Sequence, residues 1–117
     1  MDIEIIDTGL NSAEENMRID RELLSSLEER KKPVLHLYGW EKGSLTYGCL
    51  LDIEKFLYVP ALKKQGFSPA KRPTGGGVIF HDWDFAFSFL IPTHSSLLSA
   101  STLENYRIIN GWVQQFL

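Results

Sequence analysis

The chain has 117 residues, of which 44% are apolar, 12% aromatic and 23% charged, and its formal charge is −3 at pH 7. This balance excludes a disordered chain, and the negative charge argues against the basic surface of a nucleic-acid binder. A single cysteine, Cys49, closes no intramolecular disulfide, and neither a signal-peptide pattern nor a membrane-length apolar run occurs, so a cytoplasmic protein is expected, with no membrane partner.

Taken in chain order, Ile3 to Ile6 reads as a short strand. Ser12 then opens a helix, with Glu15 three residues on completing a capping box. Met17, Leu23, Leu24 and Leu27 recur near a 3.6-residue period, so one face is expected to cover a sheet, and Pro33 marks the stop. Val34 to Tyr38 and Leu45 to Gly48 are predicted strands joined through the polar turn Glu41 to Ser44. His36, inside an apolar strand, is expected to be a satisfied core histidine. Asp52 is the expected cap of a short helix, and Pro60 suits the start of a second helical turn ending at Gly66.

Phe67 to Lys71 is predicted to lead as a strand into Arg72-Pro73-Thr74-Gly75-Gly76-Gly77. Three consecutive glycines are costly on folding unless a turn or a ligand needs bare backbone. No Gly-x-x-x-x-Gly-Lys-Ser/Thr occurs, and Phe80 stands where a dinucleotide fingerprint needs glycine, so neither familiar phosphate loop is present. Val78 to Phe80 and Phe85 to Ile91 read as a hairpin around Asp82-Trp83-Asp84. In its second arm Phe85, Phe87 and Phe89 alternate with Ala86, Ser88 and Leu90; the rings are expected in the core, with the smaller groups on the other face. Ser101 and Glu104 form another capping box, followed by Tyr106, Ile109, Val113 and Phe116 on one helical face. Nine of the fifteen acidic residues precede Arg30, whereas only Glu104 and Arg107 are charged after Asp84. The segment from Gly111 to Leu117 has no helix-ending signal and reads as a cut through a helix or sheet junction. Cys49 is expected to be a small buried hydrophobe.

Arg72-x-Thr74-Gly75-Gly76-Gly77, an apolar stretch, then His81-Asp82 resembles the signature of lipoate-protein ligases and the related octanoyl and lipoyl transferases. Upstream, Asn16-Met17-Arg18-Ile19-Asp20-Arg21-Glu22-Leu23-Leu24 resembles that family's first helix, and Leu35 to Trp40 with Ser44 to Gly48 is similar to its Trp-containing strand and the strand after it. Arg18, where the family usually has a small residue, and Cys49-Leu50-Leu51-Asp52, where many members carry a polar Arg-x-Gln type sequence, depart from it. The resemblance implies an α/β (α+β) fold: a mixed, largely antiparallel sheet flanked by helices, with residues 1–117 the N-terminal part of one biotin/lipoate protein ligase-type catalytic domain. It also implies that the lysine gripping an acyl-adenylate in such ligases lies beyond the matched segment.

The first expected activity is ATP-dependent activation of lipoate to lipoyl-AMP and its transfer to a carrier-domain lysine. ATP and Mg²⁺ would be the cofactors, none tightly bound, the metal arriving with the nucleotide because no ligand cluster has metal-site spacing. The partners implied are lipoyl carrier domains or glycine-cleavage H-type proteins. The alternatives are an octanoyl or lipoyl transferase of the same fold, working without ATP, and a noncatalytic module that self-associates through its apolar C-terminal half. Trp40, Arg72, Thr74, Gly75, Gly76, Gly77 and His81 are the expected substrate contacts. The glycine amides would meet a carbonyl or phosphate beside Arg72, Trp40 would wall the acyl tunnel or pack as a core aromatic, and His81 would line the site and pair with Asp82 or close the hairpin. No residue is assigned as catalytic and none as a metal ligand.

Overall fold

A computed structural model describes residues 2–82, 84–97 and 101–115. β1 (Glu4–Asn11) runs longer than the predicted strand and passes into α1 (Ala13–Arg30). The Ser12 hydroxyl accepts the Glu15 amide, as the capping pattern predicts. The Glu15 carboxylate bonds Arg18 instead of reaching back to the cap, so only half of the box forms. At the far end Lys31 adopts the left-handed conformation (φ 58°) and donates its amide to the Leu27 carbonyl, ending the helix before Pro33.

α1 carries the chain across to β2 (Val34–Trp40), which lies parallel to β1 as a crossover of this length requires. β3 (Ser44–Tyr47) does not fold back on β2 but enters a second sheet, with β4 (Ser68–Lys71) and β5 (Val78–His81) on either side. Between β3 and β4 come a 3₁₀ turn at Ile53–Lys55 and α2 (Val59–Lys64), whose Pro60 lies in its first turn. Asp52 precedes the 3₁₀ turn without a side-chain capping bond. β6 (Phe85–Leu90) returns to the first sheet and α3 (Thr102–Gln114) follows, its N-cap Ser101 accepting the Glu104 amide.

The hairpin expected between β5 and β6 is therefore absent. β5 pairs antiparallel with β3, and β6 pairs antiparallel with β2. A three-residue connection between two β-rich segments is the ordinary hairpin signal, but here the chain changes sheets across it. Trp83, in that connection, lies outside the described residues. The sheet orders are β1-β2-β6 and β4-β3-β5, each with one parallel and one antiparallel pairing. Mixed sheets flanked by helices are the architecture expected from the sequence.

The core lies between α1 and the two sheets. Ala13 and Met17 pack with Tyr38, Trp40 and Ala70, while Leu23 and Leu27 pack with Val34 and Leu90. Leu24, expected on the same face, is half exposed. Two polar residues, Asn16 and Asp20, occupy buried positions on this otherwise apolar stripe. The β6 alternation is real, but its inward face is the small one: Ala86 packs against the core and Ser88 bonds Asp20. Phe85 and Phe87 are 69% and 43% exposed, which corrects the expectation that the rings fill the core. The buried Asp20 carboxylate needs donors, and Ser88 supplies one where a ring could not. No described residue of α3 is buried, and Phe116 lies outside the described residues.

Candidate functional site

β2 alternates strictly, and its buried face presents Val34, His36, Tyr38 and Trp40. The aromatic members stack in sequence: His36 on Tyr38 (centroids 4.4 Å), Tyr38 edge-on to Trp40 (5.2 Å), and Trp40 on His81 of β5 (3.8 Å, 16° between planes). The Trp40–His81 stack links the two sheets. Trp40 thus sits in the core and not in the pocket lining described below.

Beneath this column lies a polar cluster. Asp20 accepts from His36 Nδ1 at 2.8 Å with one oxygen, and from Ser88 Oγ at 2.6 Å and Tyr38 Oη at 3.4 Å with the other. His36 Nε2 meets Thr8 Oγ1 at 2.7 Å. Thr8 is the extra residue of the β1 bulge between Asp7 and Gly9, which turns its hydroxyl toward the imidazole. His36 is a satisfied core histidine, as expected.

Burial is the main force pushing the Tyr38 phenol from its ordinary value near 10 up to about 12; the Ser88 hydrogen bond acts against it, and the Asp20 carboxylate with it. A raised folded value means that Tyr38 contributes its full stabilisation below pH 10 and loses it as pH rises through about 12. The thermal midpoint should fall across that window in the parent, and fall less in Tyr38→Phe. An equal fall in both proteins would show that Tyr38 is not the group responsible.

The glycine loop is held down by its carbonyls. Cys49 N–H donates to the Thr74 carbonyl (2.8 Å) and Gly48 N–H to that of Gly77 (3.2 Å), while Arg72 Nη2 donates to Gly75 O (3.0 Å) and Gly77 O (2.7 Å). Gly76 has φ 103°, a conformation that disfavours side chains. Gly75, Gly76 and Gly77 are exposed, and among the described residues none of their amides donates a backbone hydrogen bond. The carbonyls of Thr74, Gly75 and Gly77 are thus engaged while the loop amides make no backbone bond among the described residues, a polarity that suits an anionic or carbonyl oxygen.

His81 is buried at the end of β5. Its Nδ1 is 2.6 Å from Asp84 Oδ2 and its Nε2 2.8 Å from Thr46 Oγ1. Asp84 thus takes the role anticipated for Asp82, which is exposed. The hairpin reading placed Asp82 beside His81, whereas the sheet change brings the residue three positions on into reach.

An apolar pocket of about 630 Å³ adjoins this arrangement. Met17, Leu24, Phe87, Leu90, Tyr106 and Ile109 form most of its wall, Asp20, Tyr38 and Ser88 contribute the polar part, and Arg72, Pro73 and Thr74 bring the start of the glycine loop into the lining. Among the expected site residues, Arg72 and Thr74 line the pocket, Gly75 to Gly77 continue from it, and His81 reaches Arg72 through Thr46. Sequence reasoning missed Thr46, Gly48, Asp84, Asp20 and Ser88. A polar residue inside an apolar helical stripe (Asp20) and a serine among phenylalanines (Ser88) were the available signals. Among the described residues no His, Cys, Asp and Glu group is placed to hold a metal ion, and no helix is long and apolar enough to cross a membrane.

Helix-covered mixed sheets thus carry an apolar pocket that runs up to a glycine loop. The lipoyl protein ligase A/B catalytic domain model matches residues 12–117, and the chain belongs to that family. It is 32% identical over 111 residues to the octanoyltransferase LipM of Bacillus subtilis, covering 94% of this chain and 40% of that protein. It is 33% identical over 106 residues to the octanoyltransferase LipM of Anoxybacillus flavithermus, covering 90% and 38% respectively. The chain thus spans about two-fifths of the length of these relatives. In fold it is similar to a lipoate-protein ligase A crystallised with ATP, with a TM-score of 0.73, 24% identity, and 92% of this chain matched to 42% of that one.

Proposed function

We propose that this chain forms the acyl pocket and glycine loop of an octanoyl or lipoyl transferase, which passes a medium-length acyl group to a lysine on a lipoyl carrier domain or glycine-cleavage H-type protein. This is the alternative expected from the sequence, moved ahead of the ATP-dependent ligase because relatives at 32% and 33% identity are named octanoyltransferases. The observation that carries it is the junction of pocket and loop: Arg72 to Thr74 line the apolar wall, and the exposed residues Gly75 to Gly77 come next. Burying the six methylenes of an octanoyl chain there is worth about 5 kcal/mol before the cost of association. Its carbonyl oxygen would fall to the amides, where donors fixed in advance stabilise developing negative charge.

The ligase is the second reading, favoured by the fold likeness to an ATP-bound ligase, with ATP and Mg²⁺ joining lipoate at the same loop. Calorimetric titration of octanoate and octanoyl-AMP separates the two. Comparable affinities support the transferase, and octanoyl-AMP binding far more tightly supports the ligase. Leu24→Trp, a half-exposed position on the pocket wall, is expected to weaken octanoate binding at least about tenfold. Parental affinity in that variant would remove the pocket from the assignment.

A further inference from the structure

We infer that Thr46 is a positioning residue of the transfer site, its one hydroxyl coupling Arg72 to His81 and so holding the glycine loop in place. The inference rests on the transferase reading for its function, but its geometry stands separately. Arg72 Nη1 is 2.8 Å from Thr46 Oγ1, and a guanidinium can only donate, so the hydroxyl oxygen accepts there. Asp84 can only accept, so it claims the ring proton on Nδ1, and in the neutral ring the Thr46 hydroxyl donates to His81 Nε2, also at 2.8 Å. Nε2 is then the acceptor nitrogen, and the ring proton on Nδ1 faces Asp84 Oδ2 at 2.6 Å. Asp84 thus sets the tautomer of the imidazole, and the Thr46 hydroxyl links that imidazole to the guanidinium.

The hydroxyl has little freedom to do anything else. Thr46 is fully buried on the central strand of its sheet, registered between Ala70 of β4 and Ile79 of β5. A β-branched side chain has a restricted choice of χ1 there, and its two partners hold Oγ1 between them. The other end of the guanidinium grips the carbonyls of Gly75 and Gly77. Free Arg72 from Thr46, and those carbonyls lose the fixed partner that holds the loop in position. Asp84, Thr46 and Arg72 therefore act on the acyl group through the position of the loop amides.

The test compares Thr46→Val, which keeps the shape and removes the hydroxyl, with Thr46→Ser, which keeps the hydroxyl, in the full 117-residue chain. Octanoate affinity should fall about tenfold in Thr46→Val and stay within about twofold of the parent in Thr46→Ser. In ¹⁵N-labelled protein the His81 Nε2 signal should be that of an unprotonated nitrogen in the parent and in Thr46→Ser, and should move in Thr46→Val together with the amide signals of Gly75 to Gly77. A folded Thr46→Val with parental affinity and parental histidine and glycine signals overturns the assignment, as does Thr46→Ser behaving like Thr46→Val. If the parent itself binds no octanoate, the transferase reading falls while the histidine and glycine signals still decide the role of Thr46. Should Thr46→Val fail to fold, Thr46→Cys, a much weaker hydrogen-bonding group of similar size, takes its place under the same criteria.

Discussion

Gly48→Ala is expected to destabilise the protein by about 2–3 kcal/mol and to disable acyl binding, although Gly48 is not one of the residues lining the pocket. The cause is close approach of two backbones. A Cβ on Gly48 would stand 2.2 Å from the Gly76 carbonyl oxygen, 2.7 Å from its nitrogen and 2.8 Å from the Gly75 carbonyl carbon. All three are backbone atoms, so no side chain can swing aside. Relief requires lifting the glycine loop off the end of β3, which breaks the Gly48–Gly77 and Cys49–Thr74 backbone bonds and disturbs the Arg72 grip on the loop. Gly75→Ala is the control: a Cβ there meets nothing within 4 Å, and its effect on stability should stay within about 0.5 kcal/mol. Urea unfolding of both variants checks this. Equal midpoints would mean that the loop does not rest on Gly48.

The second large effect is expected at Asp20, where the Ala and Asn variants should differ in a defined order. Asp20→Ala leaves the His36 Nδ1–H and the Ser88 hydroxyl without their buried acceptor, and opens space next to Tyr38. A loss of about 3 kcal/mol follows, a large part of the stability of a domain of this size. Asp20→Asn should cost only about 1 kcal/mol, because the network can reverse. The amide would donate to His36 Nδ1, the ring proton would move to Nε2, and Thr8 Oγ1 would accept it across the existing 2.7 Å contact. Ser88 would still donate, now to the amide oxygen. Thermal and urea unfolding of both variants test the order. An Asn variant as damaged as the Ala variant would refute the reversible relay, and a nearly silent Ala variant would show that the cluster contributes little.

What could be read in advance depended on whether the signal was local. The two serine caps, the start of α1, the Pro60 turn and the strands of the second sheet follow from neighbouring residues, and the chain displays them. The glycine run announced bare backbone but not its polarity, because the Arg72 contacts to Gly75 and Gly77 and the seat against Gly48 are tertiary. The β5–β6 segment failed for an instructive reason. Its composition fits a hairpin, and only the competing demands of β2 and β3 for antiparallel partners send the two strands to different sheets. That same error hid Asp84 as the partner of His81. Alternation in β6 correctly divided phenylalanines from small residues, but it could not say which set faced α1, since hydrophobicity favours the rings. The buried carboxylate of Asp20 decided otherwise, and its position on the helical stripe was visible while its need for Ser88 was not.

The path of the chain between the sheets also sets an order of assembly. β1, α1 and β2 are consecutive and contain their own pairing, so this unit closes only the loop that the helix itself spans. β6 adds to β2 from the opposite third of the sequence, after the chain has built the other sheet, and its register from Val34–Leu90 to Gly39–Phe85 closes a far longer loop. Pairings of that kind slow folding and come late. The Asp20–Ser88 bond joins the early unit to the late strand. Until it forms, the early unit carries a buried-type carboxylate with one of its partners missing, so completion of the polar cluster coincides with completion of the fold.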